Sequence, residues 1–203
     1  MSTFVIIIQI VAPVFLLASI GFGWVRLGYD YSVSFVTRLA MSVSVPCLIF
    51  VALMNANIDS ASLTATFGAA AVAYLIVTGV FYVIVKRAKL EGSTYLHPLI
   101  FGNTGNLGLP LALFAFGEEG LSFAVIVFAV MIVYSFSLGI WMVSGRGAGS
   151  NVLREPTVYG ALLGALFLYN GWQTPVWLTN TLQLAGQMAI PLMLITLGVA
   201  LGR

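Results

Sequence analysis

Seven apolar runs, each close to the length needed to cross a bilayer, fill roughly three-quarters of this 203-residue chain. They cover residues 4–25, 35–53, 63–85, 96–116, 121–143, 158–172 and 178–201, the sixth being the shortest. Only 7% of residues are charged and 61% are hydrophobic. A chain so poor in charge has too little polar surface to face water all round, so most of its exterior must face lipid. The N-terminal run has no Lys or Arg before it and is too long for a signal-peptide core, which makes it a permanent first span.

The basic residues fix an orientation. Arg26, Arg38, Lys86, Arg87, Lys89, Arg146, Arg154 and Arg203 all fall on one side of the spans. The opposite connections hold Asp59, Glu118 and Glu119. The positive-inside rule therefore predicts a multi-pass protein of the cell (inner or plasma) membrane with an external N-terminus and cytoplasmic basic loops. Arg38 lies one turn inside the second span, where its guanidinium can snorkel to the interface. The net charge of +2 is carried by scattered loop residues, so no nucleic-acid partner is expected. Cys47 is the sole cysteine and His97 the sole histidine, too few for a zinc site of the usual kind, and no cofactor is expected. All six acidic residues lie in loops or at their edges, leaving no nucleophile–base pair or carboxylate dyad at depth; the chain is not expected to be an enzyme.

An internal repeat is readable. Pro13, Ala18 and Gly21 recur 143 residues later as Pro156, Ala161 and Gly164; Leu39, Ala40 and Pro46 recur 145 later as Leu184, Ala185 and Pro191. A unit that returns after five spans returns upside down, and inverted repeats are a signature of secondary transporters. The expected division is a five-span first repeat over 1–144, a Gly-rich cytoplasmic linker over 145–156, and two spans of a second repeat over 157–203. By that measure the second repeat stops short.

The chemistry-bearing stretch is Gly102-Asn103-Thr104-Gly105-Asn106-Leu107-Gly108-Leu109-Pro110. Glycine at every third position, two amides and a proline make poor continuous helix, and the stretch sits at the middle of the fourth span. Unwound backbone at that depth must line a protein-enclosed cavity. Pro110 suits the first turn of a fresh half-helix, whose positive dipole end would attract an anion that Asn103 and Asn106 can bond. The alternative is a glycine-lined packing face with a proline kink. Pro46 and Pro191 are either kinks or shapers of the cavity. Tyr134, Ser135, Ser137, Gln183 and Gln187 read first as interhelical hydrogen-bond partners, and His97 as an interfacial residue. Gly160 and Gly164 form a small-residue packing motif.

The stretch 102–110, together with Val45-Pro46-Cys47-Leu48-Ile49-Phe50 and Ala189-Ile190-Pro191-Leu192-Met193-Leu194, resembles bacterial members of the auxin efflux carrier family. The resemblance implies an all-α polytopic membrane protein built as inverted five-helix repeats, related to the bile acid–sodium symporter fold, with the second repeat here cut after two helices. It implies secondary active or potential-driven transport of an organic anion, a malate-type or auxin-like carboxylate. The substrate-binding set it suggests is Asn103, Thr104, Gly105, Asn106, Gly108 and Pro110, with Pro46, Tyr134 and Ser135. It further implies a homodimer through spans one, two, six and seven, embedded in membrane lipid. The alternative function is a dimerising scaffold fragment that transports nothing.

Overall fold

A computed structural model describes residues 3–56, 59–135 and 155–203, and every regular element among them is a helix. Most of the expected linker, the end of the fifth span, Ser137, Arg146 and Arg154 fall outside the described residues. In chain order the elements are α1 (Thr3–Arg26), α2 (Val33–Leu39), α3 (Val45–Met54), α4 (Ser60–Arg87) and α5 (Gly92–Ile100). There follow α6 (Leu109–Tyr134), α7 (Pro156–Asn170), α8 (Val176–Gln187) and α9 (Ala189–Gly202). Five stretches are long and apolar enough to cross a membrane: Ile8–Arg26, Val33–Met54, Ala61–Arg87, Leu109–Tyr134 and Val176–Gly202.

Proline explains why several of these spans are not single helices. A proline inside a helix has no N–H to give, and its ring collides with the carbonyl four residues back. Pro46 is the second residue of α3, and a π-helical turn, Ala40–Ser44, stands directly before it. Pro110 is the second residue of α6, and a second π turn, Thr104–Gly108, stands directly before it. The extra residue of a π turn opens the backbone where the ring needs room. Pro191 is the third residue of α9, and Met188 separates that helix from α8. Pro13 produces no such interruption within α1.

The sequence places a boundary between the fourth and fifth spans at residues 116–121. There the chain bends within α6: Gly117 has φ 67° and ψ −159°, a conformation essentially reserved for glycine. The fourth span is thus α5, a break, a π turn and the first turns of α6. The sixth is α7, whose 15 residues are short for a crossing.

Glycines let the helices cross at backbone distance. A Cβ added to Gly198 of α9 would stand 1.8 Å from the Ala18 carbonyl oxygen of α1, and one on Gly21 would stand 2.0 Å from the Ile195 carbonyl oxygen. A Cβ on Gly160 of α7 would lie 2.6 Å from the Pro46 carbonyl oxygen, and one on Gly164 would lie 2.9 Å from Leu53 Cβ and 3.2 Å from Phe50 Cα. Gly186 of α8 approaches Leu48 in the same way. Lipid offers no hydrophobic drive for helix pairing, so this close contact between backbones supplies the attraction. The flanks that face away from these crossings carry large apolar side chains, among them Phe15, Leu16, Phe67, Leu75 and Tyr169.

Charges gather at helix ends. α1 closes on Arg26 and α4 on Lys86 and Arg87; Arg26 lies over the Phe22 ring at 5.3 Å and Lys86 over Tyr82 at 5.8 Å. At the other end of α4, Asp59 caps the helix by accepting from the Ser62 amide at 2.8 Å. Its bonds to Ser62 hold the carboxyl below the usual carboxylate range, so this cap acts at neutral pH and is lost only as pH falls through that lowered value.

The crossings make a direct prediction. Gly198→Val must push apart the α1 and α9 backbones, an overpacking cost of about 1–3 kcal/mol or more. Gly79→Ala, where an added methyl meets nothing within 4 Å, should be neutral or slightly stabilising. Thermal unfolding in detergent separates them, and equal melting of the two variants would refute the backbone-contact account.

Candidate functional site

The centre of the molecule is the place where the proline-marked defects meet. Val45 and Leu109, the residues just before Pro46 and Pro110, are buried in one apolar cluster with Ile49, Ala189 and Met193. Ala189 and Met193 flank Pro191 on either side in α9. The second span, the broken fourth and the seventh therefore share a core at their weakest backbone points. Each defect frees carbonyls that must find other donors, because an unpaired polar group in a dry interior costs about 1–3 kcal/mol. One such repair is visible. With π spacing the Pro46 nitrogen would pair with the Met41 carbonyl, and that oxygen instead accepts from Thr157 Oγ1 of α7 at 3.3 Å. Thr157 is 1% exposed.

The break itself is narrower than the sequence suggests. The backbone leaves helix only at Phe101–Asn103; Thr104–Gly108 is wound as the π turn, and α6 continues from it. α5 extends about 13 Å and the half-helix from Thr104 to Phe116 about 20 Å at 1.5 Å per residue. The break thus falls well inside a bilayer core of about 30 Å. The Asn103 carbonyl starts the new helix, accepting from Leu107 N at 3.1 Å and Gly108 N at 3.2 Å. The Thr104 amide folds back to the Gly102 carbonyl at 2.9 Å. The helix's own pattern gives no acceptor to the Gly105 and Asn106 amides, which occupy its open end.

The expected site residues divide into three groups. Thr104 and Gly105 face protein: Thr104 Oγ1 meets Met131 Sδ at 2.8 Å, and a Cβ on Gly105 would lie 3.0 Å from Phe128 and 3.1 Å from Met193. Gly105 is therefore needed for close packing, whereas Gly108 has only ordinary contacts. Asn103 is exposed at the break, and Pro110 is buried behind it. The side chain of Asn106 lies outside the described residues; its backbone belongs to the π turn. Pro46 lies against Gly160 of α7.

Tyr134 and Ser135 form the third group, at the end of α6. Tyr134 Oη donates to Thr78 Oγ1 of α4 at 2.9 Å, and Ser135 Oγ is 3.2 Å from His97 Nε2 of α5. Both link helices, as polar groups at depth commonly do. The His97 ring also lies 4.8 Å from that of Phe101. Phe101, Tyr74 and Tyr134 pack with centroids 5.8–6.2 Å apart, an aromatic layer on the α5 side of the break. Sequence reading missed Tyr74, Thr78 and Met131. Tyr74 and Thr78 stand four apart on an otherwise apolar helix, a spacing that shares one face and could have flagged them.

On the other side of the half-helix lies a cavity of about 490 Å³ between α6 and the helices α1, α3, α8 and α9. Leu113 and Phe114 give it an apolar wall, and Asn55, Glu118, Gln183 and Gln187 give it polar ones. Gln183 and Gln187 thus line a cavity rather than a helix contact. The break is packed on the side of the basic helix ends, and the half-helix is flanked by open space on the other.

The sequence matches a known family. The sequence pattern of the membrane transport protein family fits residues 6–155. The chain belongs to that family, the auxin efflux carrier-type membrane transporters. It is 31% identical over 141 residues to an uncharacterized transporter of Methanocaldococcus jannaschii, covering 64% of this chain and 44% of that protein. It is 29% identical over 182 residues to an uncharacterized transporter of Methanothermobacter thermautotrophicus, covering 83% of this chain and 58% of that protein. The chain spans about half the length of the curated relatives it matches.

The repair at Pro46 is testable. Thr157→Val keeps the shape and removes the donor, so unfolding in detergent should show a loss of about 1–3 kcal/mol. Thr157→Ser should retain most of the stability. A valine variant as stable as the parent would mean that the Met41 carbonyl needs no partner.

Proposed function

We propose that this chain supplies one half of the substrate site of a secondary transporter for organic anions, carboxylates of the malate or auxin type, in the cell membrane. The observation that carries the reading is the half-helix that begins at Thr104, deep in the span, with its positive end at the break. A carboxylate placed there meets outward-directed amides and the helix dipole, without a buried lysine or arginine that would have to be desolvated. Asn103, at the lip of the same opening, adds an amide donor, and the Asn106 side chain is assigned the same role. Thr104, Gly105, Gly108 and Pro110 shape that end, and Pro46, Tyr134 and Ser135 hold the helices around it.

The scaffold crossings support the inverted-repeat reading. Gly21 of α1 meets Ile195 of α9, and Gly164 of α7 meets Phe50 of α3. Gly164 lies 143 residues after Gly21, and Ile195 lies 145 after Phe50, the offsets at which the sequence repeats. Each repeat's first span thus crosses the other repeat's second. On this reading α1, α2–α3, α7 and α8–α9 form the dimerising scaffold. α4, α5 and α6 form the moving bundle, with the N-terminus external and the basic ends cytoplasmic.

Charge makes efflux favourable without a coupling ion. With the inside about 100 mV negative, one negative charge moving outward gains about 2.3 kcal/mol. In proteoliposomes carrying the whole carrier, an inside-negative potential should drive radiolabelled malate or indole-3-acetate out. Asn103→Ala should slow that flux by about tenfold or more, the worth of one charge-assisted hydrogen bond. Flux that ignores both the potential and Asn103 would sink the proposal. Self-association without any flux would favour the scaffold alternative.

A further inference from the structure

A second recess, of about 810 Å³, opens far from the break, at the side where α1, α4 and α9 end in basic residues. It lies between the α1–α2 connection, α2, the start of α7 and the end of α9. Arg38, Arg203 and Glu155 are the charged side chains among the described residues of its wall. Ser32, Ser34, Thr37 and Ser42 add four hydroxyls. Arg203 gives one of its N–H groups to the Tyr31 carbonyl, which fixes the guanidinium across the mouth.

We propose that this recess binds the phosphate of an anionic lipid headgroup. Two guanidiniums and a set of hydroxyls suit a phosphate ester, which accepts many hydrogen bonds and pairs with arginine in bidentate fashion. Neither the amide-lined outer cavity nor the break offers such a combination. The depth is also that of a headgroup: α2 begins at Val33, so Arg38 stands less than two turns inside it, one short connection after α1 closes on Arg26. Phe35 of α2, between the lining residues Ser34 and Thr37, is 65% exposed, an apolar surface against which an acyl chain can lie. A soluble phosphate would leave that surface uncovered, and basic pockets between spans on this side of membranes commonly take acidic lipids.

The occupant would touch structure that matters elsewhere. Met41 and Ser42 of the recess belong to the π turn ahead of Pro46. Tyr31 Oη is 2.8 Å from Thr196 Oγ1 of α9. A headgroup held by Arg38 and Arg203 therefore ties the opened second span to the seventh and stabilises both.

Thermal unfolding of the chain in nanodiscs tests this. Replacing part of the phosphatidylcholine by phosphatidylglycerol should raise the midpoint by a few degrees, as binding to the folded state alone requires. R38Q should abolish the shift. The double variant K86Q/R87Q, which removes basic residues of the same side outside the recess, should keep it. A shift that survives R38Q, or that vanishes instead in K86Q/R87Q, overturns the proposal in favour of general surface attraction. Inorganic phosphate that reproduces the shift in pure phosphatidylcholine overturns the lipid as the source. If R38Q fails to fold, Ser34→Ala with Thr37→Val leaves the charges in place and should reduce the shift; an unchanged shift there is equally decisive against the site.

Discussion

A proline within an apolar span sets one condition that the rest of this structure answers: a backbone carbonyl loses its amide where no water can replace it. Pro46, Pro110 and Pro191 each impose this deep in a span. The chain answers locally with π turns or a helix break, and at longer range with donors such as Thr157. Because the repairs come from other helices, the defective positions must sit inside the protein. That is why Val45, Leu109 and Ala189 share one buried cluster while the continuous helices α1 and α4 expose most of their surface outward.

The same condition restricts how the helices meet. A span held at a defect cannot tolerate slack, since a shift of its neighbour would uncover the freed carbonyl. Glycine at the crossings removes the slack. Gly160 lies on the Pro46 carbonyl itself, and Gly186 on the Leu48 backbone two residues further. The price of this arrangement is sequence rigidity, for a methyl group at Gly21, Gly198 or Gly160 would have to occupy space already taken by main-chain atoms.

Much of this was legible in the residues and some was not. The first, second, third and seventh apolar runs coincide with stretches long and apolar enough to cross a membrane, whereas the fourth and fifth are divided differently. Pro46, Pro110 and Pro191 stand where helices begin anew, and Gly160 and Gly164 marked a helix contact. The bend at Gly117 showed only as a gap between two runs, because what decides it is a positive φ, and many glycines never use one. The extent of the break was overestimated. Thr104–Gly108 looks like loop by composition, yet packing of Gly105 against Phe128 and Met193 holds it in a π turn. Tertiary contact overrode weak propensity there. The partners of Tyr134 and Ser135 could not be read at all, since Thr78 and His97 are brought to them only by the fold.

These contacts also decide which side of the break can change. On the α5 side the opening is backed by Phe101, Tyr74 and Tyr134, and hydrogen bonds from Tyr134 and Ser135 join α4, α5 and α6. That packing belongs wholly to three helices, so the three can move as one body without breaking it. The cavity on the other side is bounded by α6 on one wall and by α1, α3, α8 and α9 on the rest. Relative movement of the two groups of helices would change that cavity, and with it the contacts of Gly105 and Leu109 with Met193. On the proposed reading, an anion held at the open end of the half-helix would travel with the three-helix body, and its access to either side would follow from the position of that body rather than from unwinding of the site.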